Sequence, residues 1–306
     1  MPCSLRLLWY TRYRSLDLFT SPLFLRRQES RETGVNLSRL DSGLRRNDDE
    51  EGWRKGLLTK PMYLYFGDDD ITRAAAYLCG IMTHAGLPFT RVDSTQSPPD
   101  ALLQTSCDAF IISDYPHARF LPGQLDIIRN AVHNGAGLVM IGGWESYHGL
   151  LGEYHQTILA DMLPVLMLNT DDRRNFPQGV LLSPVQPHPI LEGLPWETPP
   201  LVGGLNEYTA KQDAKVLLKG LPLSIQADNR GLDFGCGERT YPMLVVGEYG
   251  KGRTAALATD VAPHWSGGFV DWGKRRITQD LPNGGFVEIG ADYATFFVQL
   301  LRWVAG

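Results

Sequence analysis

Leu138-Val-Met-Ile141 is a short, wholly apolar run bounded by glycines. A run with no polar face reads as a strand buried on both sides, which is the environment inside a helix-covered parallel sheet. Ahead of it, Leu125, Ile128, Ala131 and Val132 keep helical spacing and stop at Asn134-Gly135, a usual helix terminus. Strand, Gly-x-large-x-small and then helix is the shape of a nucleophile elbow, the tight turn that raises a Ser or Cys above the carboxyl edge of an α/β sheet. In Gly142-Gly-Trp-Glu-Ser146 the raised position holds Trp144. An indole does not attack a carbonyl.

The neighbouring segments extend the pattern. Strands are expected at Met62 to Phe66, Phe89 to Val92 and Ala109 to Ser113, with helices over Asp70 to Ala85 and Leu121 to His133. Strands separated by helices of this length imply βαβ crossovers, and right-handed crossovers give the flavodoxin-like order 2-1-3-4. The expected fold class is therefore α/β: a three-layer parallel sheet with helices on both faces. Residues 145–200 are rich in Pro, Gly and polar residues and read as short elements only. Met243 to Tyr249 and Arg253 to Ala258 flank Gly250-Lys-Gly252, the signal of a late antiparallel hairpin. Asp292 to Val304 reads as an amphipathic helix.

Composition narrows the function classes. The net charge of -5 carries no nucleic-acid signature. No apolar run approaches the roughly 20 residues that span a bilayer. Cys3, Cys79, Cys107 and Cys236 are scattered, without C-x-x-C spacing, as in a reduced cytoplasmic protein. His133, His148 and His155 do not follow a zinc pattern, and no phosphate loop or dinucleotide fingerprint is present, so neither a metal nor another cofactor is implied.

The charge is uneven: +4 through Pro61 and -9 from Met62 onward. The first segment shows no sustained period, and Phe24-Leu-Arg-Arg-Gln-Glu-Ser30 with Leu40 to Asp48 looks like translated bacterial intergenic repeat. Met62 is the expected true start, with residues 1–61 a disordered or mis-assigned extension and 62–306 one domain.

Several motifs lie along that domain: Tyr65-Phe-Gly-Asp68, Ile112-Ser-Asp-Tyr-Pro116, Gly142-Gly-Trp-Glu-Ser-Tyr-His-Gly149 with Gly152-Glu-Tyr154, Asp171-Asp-Arg-Arg-Asn175, His188-Pro-Ile190, and Gly250-Lys-Gly-Arg253 leading to Asp260-Val-Ala-Pro-His-Trp265. Carrying them, the chain resembles the glutamine amidotransferase-like family, an offshoot of the class I glutamine amidotransferases with a flavodoxin-like sheet. Working members place a Cys in a Gly-x-Cys-x-Gly elbow and activate it with a later His-Glu pair. Trp144 stands where that Cys would be, which removes the thiolate this chemistry needs.

Ligands in an open α/β sheet sit beyond the carboxyl ends of the strands. Asp68, Asp114, Tyr115, Gly143, Trp144, Arg173 and Trp265 are the candidate ligand-binding residues there. Asp68-Asp-Asp70 either gathers carboxylates for a hard cation or, the commoner outcome, caps the next helix. Trp144 reads as a stacking wall or as a core indole. Glu145, expected to open a helix, is either a general base or a partner of the first helical turn. His264, in a non-helical turn held by Pro263, is the acid–base candidate, with Asp260 to orient its ring. Arg173 and Arg174 offer guanidinium forks for an anion, against the usual solvated loop. Gly235-Cys-Gly237 reads as a loop.

Two functions follow. One is a binding module for a small polar ligand, with no nucleic-acid or membrane partner and with self-association through aromatic loops and the apolar C-terminal helix. The other is a hydrolase or amidotransferase in which Glu145 or His264 activates water or a relocated nucleophile, with the Gly142-Gly143 amides as oxyanion donors. The start-site expectation has a direct check: mass spectrometry of the native N-terminus should find no peptide from residues 1–61, and such a peptide at native abundance would refute it.

Overall fold

The computed structural model describes residues 62–229, 231–281 and 285–306. The expectation for residues 1–61, and with it Cys3, lies outside the described residues. In chain order the elements are β1 (Tyr63–Gly67), α1 (Ala74–His84), β2 (Phe89–Val92), α2 (Asp100–Leu103), β3 (Ala109–Ser113), α3 (Gln124–His133), β4 (Gly137–Ile141), α4 (Leu159–Met162), β5 (Val165–Met167), β6 (Arg173–Pro184), β7 (Leu201–Asn206), β8 (Tyr208–Ala210), β9 (Lys215–Asp228), β10 (Gly231–Cys236), β11 (Tyr241–Tyr249), β12 (Gly252–Leu257), α5 (Pro263–Ser266), β13 (Arg276–Asp280), β14 (Phe286–Gly290) and α6 (Ala291–Ala305).

The main sheet runs β2-β1-β3-β4-β12-β11-β9-β6-β7. From β2 to β12 every pairing is parallel, in the flavodoxin-like order expected for the first four strands. β1, β3 and β4 are buried along their whole length, which is why they carry no polar face. Two close approaches place the helical layers. A Cβ on Gly137 would lie 2.1 Å from the Val304 carbonyl of α6, and one on Gly252 would lie 2.4 Å from the Val132 carbonyl of α3. Gly252 falls in register with Ala136, the neighbour of Gly137, so the two glycines point to opposite faces. α6 therefore covers one face and α3 the other. Tyr293, Phe296, Phe297, Leu300, Leu301 and Val304 line the buried side of α6 beneath Phe269.

Beyond β12 the sheet turns antiparallel. The expected hairpin is β11–β12 around Gly250, but it is only the start of an antiparallel half that continues through β9, β6 and β7. Within residues 145–200, where short elements were expected, β6 is a 12-residue strand. Its polar residues lie along the less buried stretch, so no apolar run announces it. The Gly235-Cys-Gly237 expectation of a loop is also corrected: residues through Cys236 form β10, an arm paired only with the far end of β9.

Gly137 makes the packing testable. Gly137→Ala forces a methyl against the α6 backbone and should lower unfolding stability in urea by about 1–3 kcal/mol. An unchanged midpoint would mean that α6 does not seat on β4 in this way.

Candidate functional site

The carboxyl ends of β1, β3, β4 and β12 converge on one edge. Chain leaves β1 and β3 through Asp68 and Asp114, both left-handed at φ +49° and +43°. Such backbone is costly for an L-residue and concentrates at ligand-handling sites. Asp68, 3% exposed, accepts a hydrogen bond from the Tyr65 hydroxyl, and Asp260, 4% exposed, accepts one at Oδ1 from Ala262 N at 2.8 Å. Burial, then the charge of Asp114, pushes the Asp68 carboxyl up to about 8. Burial also pushes Asp114 up to about 7, against the amide that Glu145 donates to it. Asp260 is pushed well up by burial and by the charges of Asp114 and Asp68, and burial raises Glu145 as well.

The elbow turn is built around Asp114. Glu145 N donates to Asp114 Oδ1 at 2.8 Å, and a Cβ on Gly143 (φ +157°) would lie 2.0 Å from that oxygen, so only glycine fits. Gly143 N donates to Asn206 Oδ1 at 2.8 Å, and Gly142 N to the Leu257 carbonyl at 2.8 Å. The amides proposed as oxyanion donors are thus already paired. No helix follows the turn, which corrects the expected helix opening at Glu145; Tyr147 at φ +52° breaks the helical path, and the chain closes in tight turns. Asp172 holds those turns. It accepts from His148 N (2.9 Å), Gly149 N (3.0 Å) and Asn206 Nδ2 (2.8 Å), while burial raises its carboxyl. Tyr147 anchors the loop below, its single hydroxyl proton shared between the Met140 and Leu257 carbonyls, each 3.0 Å away.

Trp144 stands 42% exposed above this turn. The Arg173 guanidinium lies 4.8 Å from its ring centroid, and the His264 ring meets it edge-on at 5.5 Å. Arg173 is held by a two-pronged pair with Asp171, Nε to Oδ1 at 2.9 Å and a terminal nitrogen to Oδ2 at 2.8 Å. A cavity of about 340 Å³ borders His264, between the start of α1, α5 and β14; Arg73, Tyr77 and Glu288 also line it.

Other expected site residues serve the interior instead. Tyr115 is fully buried against Phe66 and Phe120, with its hydroxyl on the Gln96 carbonyl. Trp265, 1% exposed, lies on Gly204 and donates to Asn175 Oδ1 at 2.8 Å, fastening α5 to the antiparallel half. Pro263 begins the one-turn helix α5 rather than a non-helical turn. Asp260 bonds backbone there and makes no hydrogen bond to His264, so it does not orient that ring. Asp70 does not cap α1: its Oδ1 holds Thr72 N and the Thr72 hydroxyl, and the helix begins at Ala74 with no side-chain cap. Asp172 and Asn206 were not singled out by sequence reasoning. One sits inside a charge run and the other ends an unmarked strand, and no spacing signals that they meet.

Among the described residues, Cys79 and Cys107 do not supply the missing thiolate. Burial pushes the Cys79 and Cys107 thiols up to about 12, far from thiolate at neutral pH, and Cys107 precedes β3 at the opposite end of the sheet. Cys236 lies on β10. Among the described residues no group of His, Cys, Asp or Glu is arranged to hold a metal ion, and no helix is long and apolar enough to cross a membrane.

A sequence profile described as "Putative glutamine amidotransferase" matches residues 102–278, more than half of the chain and the whole elbow region. The chain belongs to this glutamine amidotransferase-like family. Among solved structures it is similar to cytoplasmic protein STM3548 of Salmonella typhimurium, at 26% identity and a TM-score of 0.60 over 80% of this chain and 98% of that one. It is similar also to cytoplasmic protein STM1381 of Salmonella typhimurium LT2, at 25% identity and a TM-score of 0.60 over 79% and 99%. No curated protein matches it.

The buried carboxyls set a pH dependence. Their folded-state values lie above those of the unfolded chain, so this stability is full below about pH 4 and is lost as pH rises through about 7 to 8. Asp68→Asn keeps an acceptor for Tyr65 and should flatten the fall in urea midpoint across that window, by up to about 1.4 kcal/mol per pH unit, one proton's worth. Identical slopes in parent and variant would contradict the burial of an ionisable Asp68.

Proposed function

We propose that this glutamine amidotransferase-like chain is a non-classical, non-catalytic member that binds a small polar ligand at the carboxyl edge of the sheet, with Trp144 as its wall. The observation that carries this is Trp144 itself: a large aromatic ring, exposed at the nucleophile position and framed by Arg173 and His264. Loops on a rigid scaffold are where such sites gather. Asp114 and Glu145 line the same turn, and the strained backbone at Asp68 and Asp114 supports a site with a use for it.

The enzymatic alternative, with Glu145 or His264 activating water, is disfavoured by two features. His264 donates no hydrogen bond to Asp260, and the elbow amides are engaged by Asn206 and Leu257. Without an oriented base or free oxyanion donors the barrier stays high.

A bacterial, cytoplasmic setting is inferred from the two similar Salmonella proteins, which are cytoplasmic proteins by name. Self-association is a proposal on changed grounds. The apolar side of α6 packs on the chain's own sheet, whereas Ile225, Leu232 and Phe234 stay exposed on the arm formed by β9 and β10.

A thermal-shift screen of small polar metabolites tests the reading, with parent, Trp144→Ala, Glu145→Gln and His264→Ala compared and ammonia release from glutamine followed in parallel. A ligand should raise the parent's melting temperature and lose that effect in Trp144→Ala, with no ammonia released by any of them. Turnover that disappears in Glu145→Gln or His264→Ala would overturn the binding-module reading.

A further inference from the structure

We infer that the ligand of this edge is a small organic anion, a carboxylate or phosphate head on a short apolar body, seated in the cavity between α1, α5 and β14 with its head on Arg73, Tyr77 and His264. The inference rests on the binding reading above and gives that ligand a seat and a chemical class.

The first ground is the cavity itself. Thr72, Arg73 and Ala74 lead from β1 into α1, Ala262, Pro263 and His264 lead from β12 into α5, and Phe286, Val287 and Glu288 begin β14. The first two segments lie beyond the carboxyl ends of parallel strands, where open α/β sheets hold their ligands. The third is firmly placed: a Cβ on Gly80 would lie 2.3 Å from a Val287 methyl, so β14 seats directly on α1. The volume of about 340 Å³ falls at the small end of the range for small-molecule sites, about 300–1,000 Å³. Ala76, Ala262, Pro263, Phe286 and Val287 give it apolar walls, and Phe286 is left largely exposed there.

The second ground is the state of the polar groups in that lining. Among the described residues, the side chains of Arg73, Tyr77 and His264 make no hydrogen bond and no ion pair. All three can donate, the guanidinium through five N–H groups. Burial, then the charge of Asp271, raises the Tyr77 hydroxyl and so keeps its proton in place at neutral pH. The carboxylates nearby are taken. Arg276 donates from Nε to Glu288 Oε1 at 3.0 Å and pairs with Asp271 as well. Arg73 lowers the Asp70 carboxyl without pairing with it, and that carboxyl accepts from the Thr72 amide and hydroxyl at 2.7 and 2.6 Å.

Three donors without acceptors converge on one apolar-walled space, and the single carboxylate in its lining is already paired. A head of charged acceptor oxygens meets that set, and a guanidinium fork takes a carboxylate or phosphate through two parallel bonds. The apolar body then lies along Phe286, Val287 and Pro263. An organic cation would meet Arg73 with no unpaired carboxylate in the lining to offset it. His264 ties the cavity to the elbow: Trp144 is not in the lining, but the His264 ring meets it edge-on at 5.5 Å, so the seat and the indole share one side chain.

Calorimetry on the full chain tests this with phenylacetate and phenyl phosphate as the anions, 2-phenylethanol as the neutral analogue and phenethylammonium as the cation. At least one anion should bind, with affinity falling as salt rises, and the tighter of the two names the head group. Arg73→Met, at an exposed residue, removes the fork and should weaken binding by about tenfold or more, and Tyr77→Phe should weaken it less. Lys274→Gln, an exposed cation outside the cavity, should leave it unchanged. Anion binding equal in the parent and Arg73→Met would overturn the seat; if that binding is lost in Trp144→Ala, the binding reading survives with its ligand elsewhere on the edge. Loss in Arg73→Met with none in Trp144→Ala would uphold the seat and remove Trp144 as its wall. Tighter binding of the alcohol or the ammonium than of either anion would overturn the class. Binding of none of the four by the parent would overturn seat and class together, while the metabolite screen still decides the binding reading.

Discussion

The buried hydrogen bonds between Asp172, Asn206 and the elbow loop hold the two halves of this sheet in functional register. Asn206 ends β7 in the antiparallel half and grips Gly143 by both its N–H and its carbonyl, at 2.8 and 3.0 Å. Asp172, just ahead of β6, takes the amides of His148 and Gly149 and is itself steadied by Asn206. Removing one partner from such a network leaves a buried charge or amide unsatisfied, which is costlier than the bond is worth. The loop's shape, the exposure of Trp144 and the position of Arg173, next in sequence to Asp172, all follow from it.

The same bonds underlie the proposed non-catalytic reading of this elbow. In acyl transfer the turn supplies free amides to a developing oxyanion. Here each of the Gly142, Gly143 and Glu145 amides has a protein oxygen as partner, and one of those oxygens is the carboxylate of Asp114. A carboxyl group already sits where negative charge would form.

The parallel half was legible in the sequence because burial on both faces writes itself as uninterrupted apolar runs. Ala109 to Ser113 matches β3 residue for residue, and Phe89 to Val92 matches the partly buried edge strand β2 even though Thr90 and Arg91 interrupt its apolar run. The antiparallel half hid behind polarity. Much of β6 is partly exposed and interrupted by Pro177, and β10 is exposed along almost its whole length, so neither shows a period of two. Among site residues, the grouping of Asp68, Asp114, Glu145 and Asp260 followed from strand topology alone. Tyr115 and Trp265 misled because an aromatic at a loop start fills core space as readily as it lines a pocket. The pairing of Asp172 with Asn206 was invisible, since it joins residues 34 positions apart through folding and not through spacing.

The central claim is that the elbow amides are engaged by protein oxygens. Amide hydrogen exchange of the full-length chain measures this directly, at Gly143, Glu145, His148 and Gly149. Protection approaching that of the β4 strand, lost selectively at Gly143, His148 and Gly149 in Asn206→Ala, is the result this account predicts. Exchange at the rate of an open loop in the parent protein would contradict it, and would return those amides to the role of oxyanion donors.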